Sequence, residues 1–306
     1  MTSTLSFDVY GFKFQINSGD FDLNLLNIKK EFQFFAVDRL NNPADLDVKL
    51  MKFTDRSHAG IHLFKTRMCS VYQLSFSKRE YFYRTEDGNK AYLTDQFDSG
   101  KRIGILNTDS LELASDILYF YLNSTVGEYL DSIGLMRIHA FSYSINEETG
   151  LIYGRPGTGK STIALKYLES SDAHIYSDEI TLLNLKDKCL YPFPLRMATH
   201  DPVLDNLDQK FNYFFKTKYL LEIPPERIAK KSELKSIRLL SAKEIPLSKT
   251  GFLIEIIAGT GLIQMTEFLL RFNNWLTLFK ILINRLRLAL FLSTYPITNF
   301  EKDRQR

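Results

Sequence analysis

The chain has 306 residues, a net charge of +3, 44% hydrophobic and 25% charged residues. That is an ordinary globular composition, long enough for one large domain or two ordinary ones, and it excludes a disordered or collagen-like chain. The mild positive charge gives no reason to expect nucleic acid, since a phosphate-rich ligand would account for it.

Cys69 and Cys189 are the two cysteines, far apart and without metal-type spacing. No disulfide framework is expected, and a reducing cytoplasm is the expected compartment. Met1 to Phe7 shows neither a basic start nor an apolar run, so no signal peptide is expected. From Ser3 to about Leu106 the pattern predicts strands. Leu5-Phe7-Val9, Phe12-Phe14-Ile16 and Asp45 to Leu50 alternate, followed by Val71 to Phe76, Tyr81 to Arg84, Lys90 to Thr94 and Arg102 to Leu106. Asp87-Gly88 predicts a hairpin turn. One helix is expected over Asn24 to Val37, and the strands are expected to form an antiparallel sheet. His58 and His62 share a helical face spacing but lack a Glu or Cys partner, a poor metal signature. Asp109-Ser110 predicts the cap of a long helix to about Ile133, with Leu111, Ala114, Ile117, Leu118, Tyr121, Leu122 and Val126 on its apolar stripe.

The second half opens on the strand His139 to Ile145, a turn over Asn146 to Gly150, and the strand Leu151-Ile152-Tyr153. A helix is predicted over Ser161 to Leu168. Ala173 to Ser177 reads as an apolar strand ending in Asp178-Glu179. The strand Ile180 to Leu185, a turn at Lys186-Asp187-Lys188 and the segment Cys189 to Pro194 follow. His200 to Asn212 shows no period and reads as loop with some helix. Lys218 to Glu222 and Ser236 to Leu240 read as strands, and an aromatic strand is expected near Leu290 to Phe300. Phe268, Leu269, Phe272, Trp275, Leu276, Phe279, Leu282, Ile283 and Leu286 recur at helical spacing and predict a core helix. Arg271, Lys280, Arg285 and Arg287 interrupt the stretch, so no membrane span is expected.

Between strand and helix lies Gly154-Arg155-Pro156-Gly157-Thr158-Gly159-Lys160-Ser161-Thr162, which fits the phosphate-binding loop G-x-x-x-x-G-K-[ST]. Glycines let backbone N–H groups close around an oxyanion, Lys160 adds charge for the outer phosphates, and Ser161 offers a hydroxyl to Mg²⁺. The following helix turns its positive end toward the ligand. Strand, glycine loop and helix in succession is the context this motif requires. Two acids at the end of a nearby strand are placed to reach Mg²⁺ and a γ-phosphate.

With these residues in view, the chain resembles the HPr kinase/phosphorylase-like proteins, and specifically the HPr-kinase-related kinases with an extra N-terminal domain. The resemblance rests on His139-Ala140-Phe141-Ser142 before the loop, Ser177-Asp178-Glu179 after it, and Pro192-Phe193-Pro194-Leu195. Tyr10-Gly11-Phe12 and Asp45-Leu46-Asp47-Val48 extend it weakly to the N-terminal half. The family's Leu-Glu-Ile-Arg-Gly-Leu-Gly type segment is absent, so the resemblance does not reach HPr as substrate or phosphorolysis.

The resemblance implies an α/β fold, with an HPr-kinase-like P-loop core of mixed sheet and flanking helices over 126–306. An α+β N-terminal domain over 1–125, expected to position the acceptor or mediate assembly, precedes it. It implies ATP and Mg²⁺ as cofactors. Gly154, Arg155, Pro156, Gly157, Thr158, Gly159, Lys160, Ser161 and Thr162 would hold the nucleotide, and Ser161 and Glu179 would ligate the metal. Asp178 would take the proton of an attacking hydroxyl, and His139 would sit near the transferring phosphate. A strand-start histidine also serves as a plain core residue, and Arg196 suits a phosphate clamp or a solvated arginine. The expected activity is transfer of a γ-phosphate to a Ser or Thr hydroxyl of a protein or peptide. A small-molecule kinase and a nucleotide-binding module without acceptor stay open, as does the oligomeric state.

Overall fold

A computed structural model describes residues 3–55, 60–65, 69–98, 100–155, 157–195, 197–199, 209–213, 216–221, 223–240, 248–258 and 275–300. It is a mixed α/β protein dividing into two compact units: Met1–Leu122 with Phe211–Thr217, and Asn123–Lys210 with Lys218–Arg306. His58, Arg196 and most of the His200 to Asn212 stretch lie outside the described residues.

The first unit begins with a hairpin of β1 (Ser3–Val9) and β2 (Phe12–Ser18). Its turn places Tyr10 at φ 54° and Gly11 at φ 96°, the pair of positive angles a tight two-residue hairpin demands. The predicted helix over Asn24 to Val37 is broken. A 3₁₀ turn Leu23–Leu25, the short α1 (Asn27–Glu31), another 3₁₀ turn Gln33–Phe35 and β3 (Ala36–Val37) take its place. The Asp22 side chain caps the first turn by accepting from the Asn24 amide at 3.0 Å. Polar residues here bond locally and compete with a continuous helix.

The chain continues through β4 (Leu46–Lys52), β5 (Ile61–Lys65), β6 (Cys69–Ser75), β7 (Lys78–Arg84), β8 (Lys90–Asp98) and β9 (Lys101–Thr108). With the first three strands they form a nine-stranded sheet of order β3-β1-β2-β4-β9-β8-β7-β6-β5. The antiparallel expectation fails at its centre, because β4 runs parallel to both β2 and β9, with Phe14 opposite Leu46 and Leu46 opposite Arg102. The helical turns between β2 and β4 carry the chain back to the same end, which is what parallel pairing needs. Phe7, Val9, Phe14, Ile16, Leu46, Val48 and Leu50 alternate into the core. A half-buried carboxylate is met by charge: Asp95 accepts from Arg102 at 2.8 Å twice and from the Tyr121 hydroxyl at 2.7 Å.

Helix α2 (Leu111–Ser132) starts where Ser110 Oγ accepts from the Leu113 amide at 3.2 Å. The expected stripe members Ala114, Ile117, Leu118, Tyr121, Leu122 and Val126 are all buried.

The second unit contains β10 (Leu135–Ile138), β11 (Ala140–Ile145), β12 (Glu148–Gly154), α3 (Lys160–Glu169), β13 (Ala173–Ser177), β14 (Thr181–Asn184), β15 (Cys189–Tyr191) and β16 (Met197–Thr199). After β17 (Gln209–Tyr213) and β18 (Lys216–Leu221), parts of which belong to the first unit, come β19 (Ser232–Glu233), β20 (Ser236–Leu240), α4 (Lys249–Ala258), α5 (Trp275–Leu292) and β21 (Ile297–Asn299). A five-stranded sheet has the order β13-β11-β12-β20-β21, and a four-stranded sheet the order β10-β14-β15-β19. Strand β12 is buried on both faces. Leu151 and Tyr153 join Ile237, Leu239, Phe252 and Leu288 on one side. Ile152 joins Phe141, Ile163, Ala164, Tyr167 and Ile175 on the other. Helices therefore cover both faces, α4 and α5 on one and α3 on the other, which explains the unbroken apolar run of β12.

The C-terminal helix corrects the predicted stripe. Phe268, Leu269 and Phe272, and the side chains of Trp275 and Leu276, lie outside the described residues. Phe279, Leu282 and Leu286 face solvent, while Leu288, Ala289 and Leu292 are buried. The helix carries apolar side chains almost all round, so its period does not mark one face. It also runs to Leu292, so the strand expected near Leu290 to Phe300 is confined to Ile297–Asn299. Among the described residues no helix is long and apolar enough to cross a membrane.

Candidate functional site

Strands β12, β20 and β21 are mutually parallel, and β11 lies antiparallel between β12 and β13. Strands β12 and β13 thus point the same way, with β11 between them. Their C-terminal ends share one edge of the sheet, the edge where α/β proteins bind ligands.

The loop leaves that edge. Gly154, Arg155, Gly157, Thr158 and Gly159 connect β12 to α3, while Pro156 lies outside the described residues. Gly157 and Gly159 adopt φ 81° and 93°, conformations that a side chain would strain. A Cβ on Gly154 would stand 2.5 Å from Thr158 Oγ1 and 3.1 Å from the Leu240 carbonyl oxygen. The glycine is there because the loop folds onto the end of the neighbouring strand. Thr158 holds the fold from within: its amide and hydroxyl both donate to the Arg155 carbonyl, at 3.2 and 2.9 Å.

Gly159 is the N-cap of α3, and no side chain caps the helix. The first amides of Lys160, Ser161 and Thr162 therefore begin a helix whose positive end opens on the loop. Lys160 is nearly buried, and its Nζ donates to the Gly154 carbonyl at 2.6 Å. Burial pulls its pKa below the usual lysine value, against the opposing pull of Asp178 and Glu179. A desolvated ammonium folded onto its own backbone, with two acids in range, is a group that a phosphate would attract.

The two acids arrive by a distortion of β13. Ser142 pairs with Ser177 and Tyr143 with Ile175, so Tyr176 is an extra residue, a bulge of the kind that re-aims side chains at strand ends. The Tyr176 carbonyl accepts from the Phe193 amide at 2.8 Å, which brings the Pro192-Phe193-Pro194-Leu195 segment alongside. Immediately beyond, Asp178 is buried and its Oδ2 accepts from Ser161 Oγ at 3.0 Å. Of the two acids, Asp178 is the one bonded to the loop hydroxyl; Glu179 is half-buried.

His139 lies between β10 and β11, half-buried. Ala140 is opposite Tyr153, so the histidine comes one residue beyond, level with Gly154 at the loop edge. Next to it, Thr181 Oγ1 donates a hydrogen bond at 2.8 Å to the Ala140 carbonyl, and lies 2.8 Å from Ser142 Oγ.

One member of the constellation was not read from the sequence. Glu255 of α4 accepts from the Tyr153 hydroxyl at 2.7 Å and from Arg155 Nε at 2.5 Å. Its signal was a single acid in the apolar run Phe252 to Ala258.

The donor set suits a phosphate chain with a hard cation. Backbone amides, a buried lysine, a hydroxyl and two carboxylates gather here, and hard oxygen donors suit Mg²⁺. Among the described residues no group of three or more His, Cys, Asp or Glu could hold a metal alone. A magnesium ion here would share its coordination with phosphate oxygens and water, which is how that ion is bound in nucleotide sites. His62, the described partner of the weak histidine pair, packs edge-on against Tyr72 at 5.2 Å instead.

No protein-family model matches this sequence, and no curated protein matches it.

Proposed function

We propose that the second unit binds MgATP in the Gly154–Thr162 loop and transfers the γ-phosphate to a hydroxyl, most directly a Ser or Thr of a protein or peptide. The observation carrying this reading is the 3.0 Å contact between Ser161 Oγ and Asp178 Oδ2. It joins a phosphate-loop hydroxyl to a buried strand-end acid, the pairing that P-loop enzymes use beside Mg²⁺. An HPr-kinase-like core would contain these parts at one sheet edge.

In this reading the loop amides and Lys160 hold the phosphates. Ser161, with Asp178 and Glu179, would hold the cation, which when bound supplies charge neutralisation to the phosphates. Asp178 also accepts the proton of the acceptor hydroxyl, a task a carboxylate within hydrogen-bond reach can perform. His139, level with Gly154, would sit near the transferring phosphate. Phosphoryl transfer needs positioning and charge more than covalent help, and this cluster offers both. The first unit brings no comparable cluster among its described residues, and we assign it to holding the acceptor or to assembly.

The test is incubation with γ-labelled ATP, Mg²⁺ and a Ser/Thr peptide library, read by mass spectrometry. Label on a peptide hydroxyl that disappears with Lys160→Ala supports the kinase. Label on a small molecule would make it a small-molecule kinase, and release of free phosphate alone would make it a nucleotide-binding module.

A further inference from the structure

Glu255 stands near the C-terminal end of α4, where a carboxylate opposes the helix dipole. Only 11% of its side chain is exposed, an unfavourable place for a charge without a partner. Its surroundings in sequence are apolar and offer no local reason for it.

The reason lies at the phosphate loop. Oε2 takes the Tyr153 hydroxyl at 2.7 Å, while Oε1 takes Arg155 Nε and Nη2, both at 2.5 Å. One carboxylate thus ties the end of β12 and the first loop side chain to a helix 100 residues away. The arginine side chain remains 68% exposed. A guanidinium carries five N–H donors in a rigid fork, and the carboxylate grips only one edge of it.

We propose that Glu255 is a positioning residue that aims the solvent-facing N–H groups of Arg155 at a phosphate oxyanion held in the loop. The inference rests on the triphosphate reading and extends that site to α4. An arginine already fixed by a buried partner has lost much of its rotamer freedom on folding, so binding loses less of it. The grip depends on the planar fork, which lysine does not reproduce.

The experiment is calorimetric titration with magnesium tripolyphosphate of the wild type, Lys160→Ala, Arg155→Ala, Glu255→Gln and the double variant Arg155→Ala/Glu255→Gln, each checked by thermal melting. Arg155→Ala should weaken binding about tenfold, the usual effect of losing a charged hydrogen-bonding group. Glu255→Gln should weaken it several-fold, and the double variant should bind like Arg155→Ala alone, because the two act through one contact. Wild-type affinity in folded Glu255→Gln, or effects that multiply in the double variant, would overturn the inference. Should Glu255→Gln melt below the assay temperature, Arg155→Lys decides. It keeps the charge and loses the fork, so it should weaken binding, and wild-type affinity would overturn the proposal. If wild-type binding is lost in Lys160→Ala but unchanged in the Arg155 and Glu255 variants, only this inference fails. If the wild type binds no tripolyphosphate, the triphosphate reading fails with it.

Discussion

Ser161 Oγ, on the first turn of α3, donates to Asp178 Oδ2 at the end of β13 across 3.0 Å. The two residues are brought together although β11 separates β12, which leads into the loop and α3, from β13, which ends just before Asp178. The bulge at Tyr176 and the sharp exit of the loop from β12 achieve this.

From that contact comes a prediction about Asp178. Asn is nearly isosteric and still accepts from Ser161, but it carries no charge and takes no proton at neutral pH. Folded Asp178→Asn should transfer phosphate about 10²–10⁴ times more slowly, the range for loss of a general base. It should also need more Mg²⁺ for half-maximal rate, since the carboxylate faces the loop hydroxyl. Glu179→Gln should share the second effect and show a smaller first one. Rates measured across a magnesium series distinguish them, and full transfer by Asp178→Asn at low magnesium would contradict the assignment.

Lys160 gives a pH prediction. Burial holds its folded pKa below the ordinary 10.5 despite Asp178 and Glu179. The phosphate-bound form favours the charged amine. Affinity is therefore complete below the folded pKa and lost as pH rises through it, so the decline should be centred below pH 10.5. Tripolyphosphate titrations across alkaline pH measure this. Affinity that stays flat through pH 10.5 would show that Lys160 does not meet the phosphates.

A third prediction concerns the corrected face of α5. Leu288 is 1% exposed and packs with Leu239 and Phe252, whereas Leu290 is 70% exposed. Leu288→Ala should cost about 2–5 kcal/mol of stability, as buried leucines do. Leu290→Ala should stay within about 0.5 kcal/mol. Urea unfolding of the two variants reads the difference, and equal losses would mean the helix is rotated from the position described.

Local chemistry made much of this legible in the sequence. The β1–β2 hairpin, the Asp87-Gly88 turn (Gly88 at φ 93°), the Ser110 cap of α2 and the strand–loop–helix around Lys160 all depend on residues close together in the chain. What was missed depends on distant ones. The parallel pairing of β4 is decided by a crossover, not by its own alternation. The insertion of β11 between β12 and β13 leaves no mark on either strand. Glu255 could not be picked out because both of its partners, Tyr153 and Arg155, are about 100 residues away. The α5 stripe was misread because a helix apolar on nearly every side has no single period to read.

The central claim is that the Gly154–Thr162 loop holds a nucleotide triphosphate through Lys160. It is tested most directly by calorimetric titration of MgATP into the wild type and into Lys160→Ala, with melting curves to show both are folded. The account predicts saturable one-site binding by the wild type, weakened about tenfold or more in the variant by loss of a charged contact to phosphate. Equal affinity in the two proteins, or no binding by the folded wild type, would contradict it.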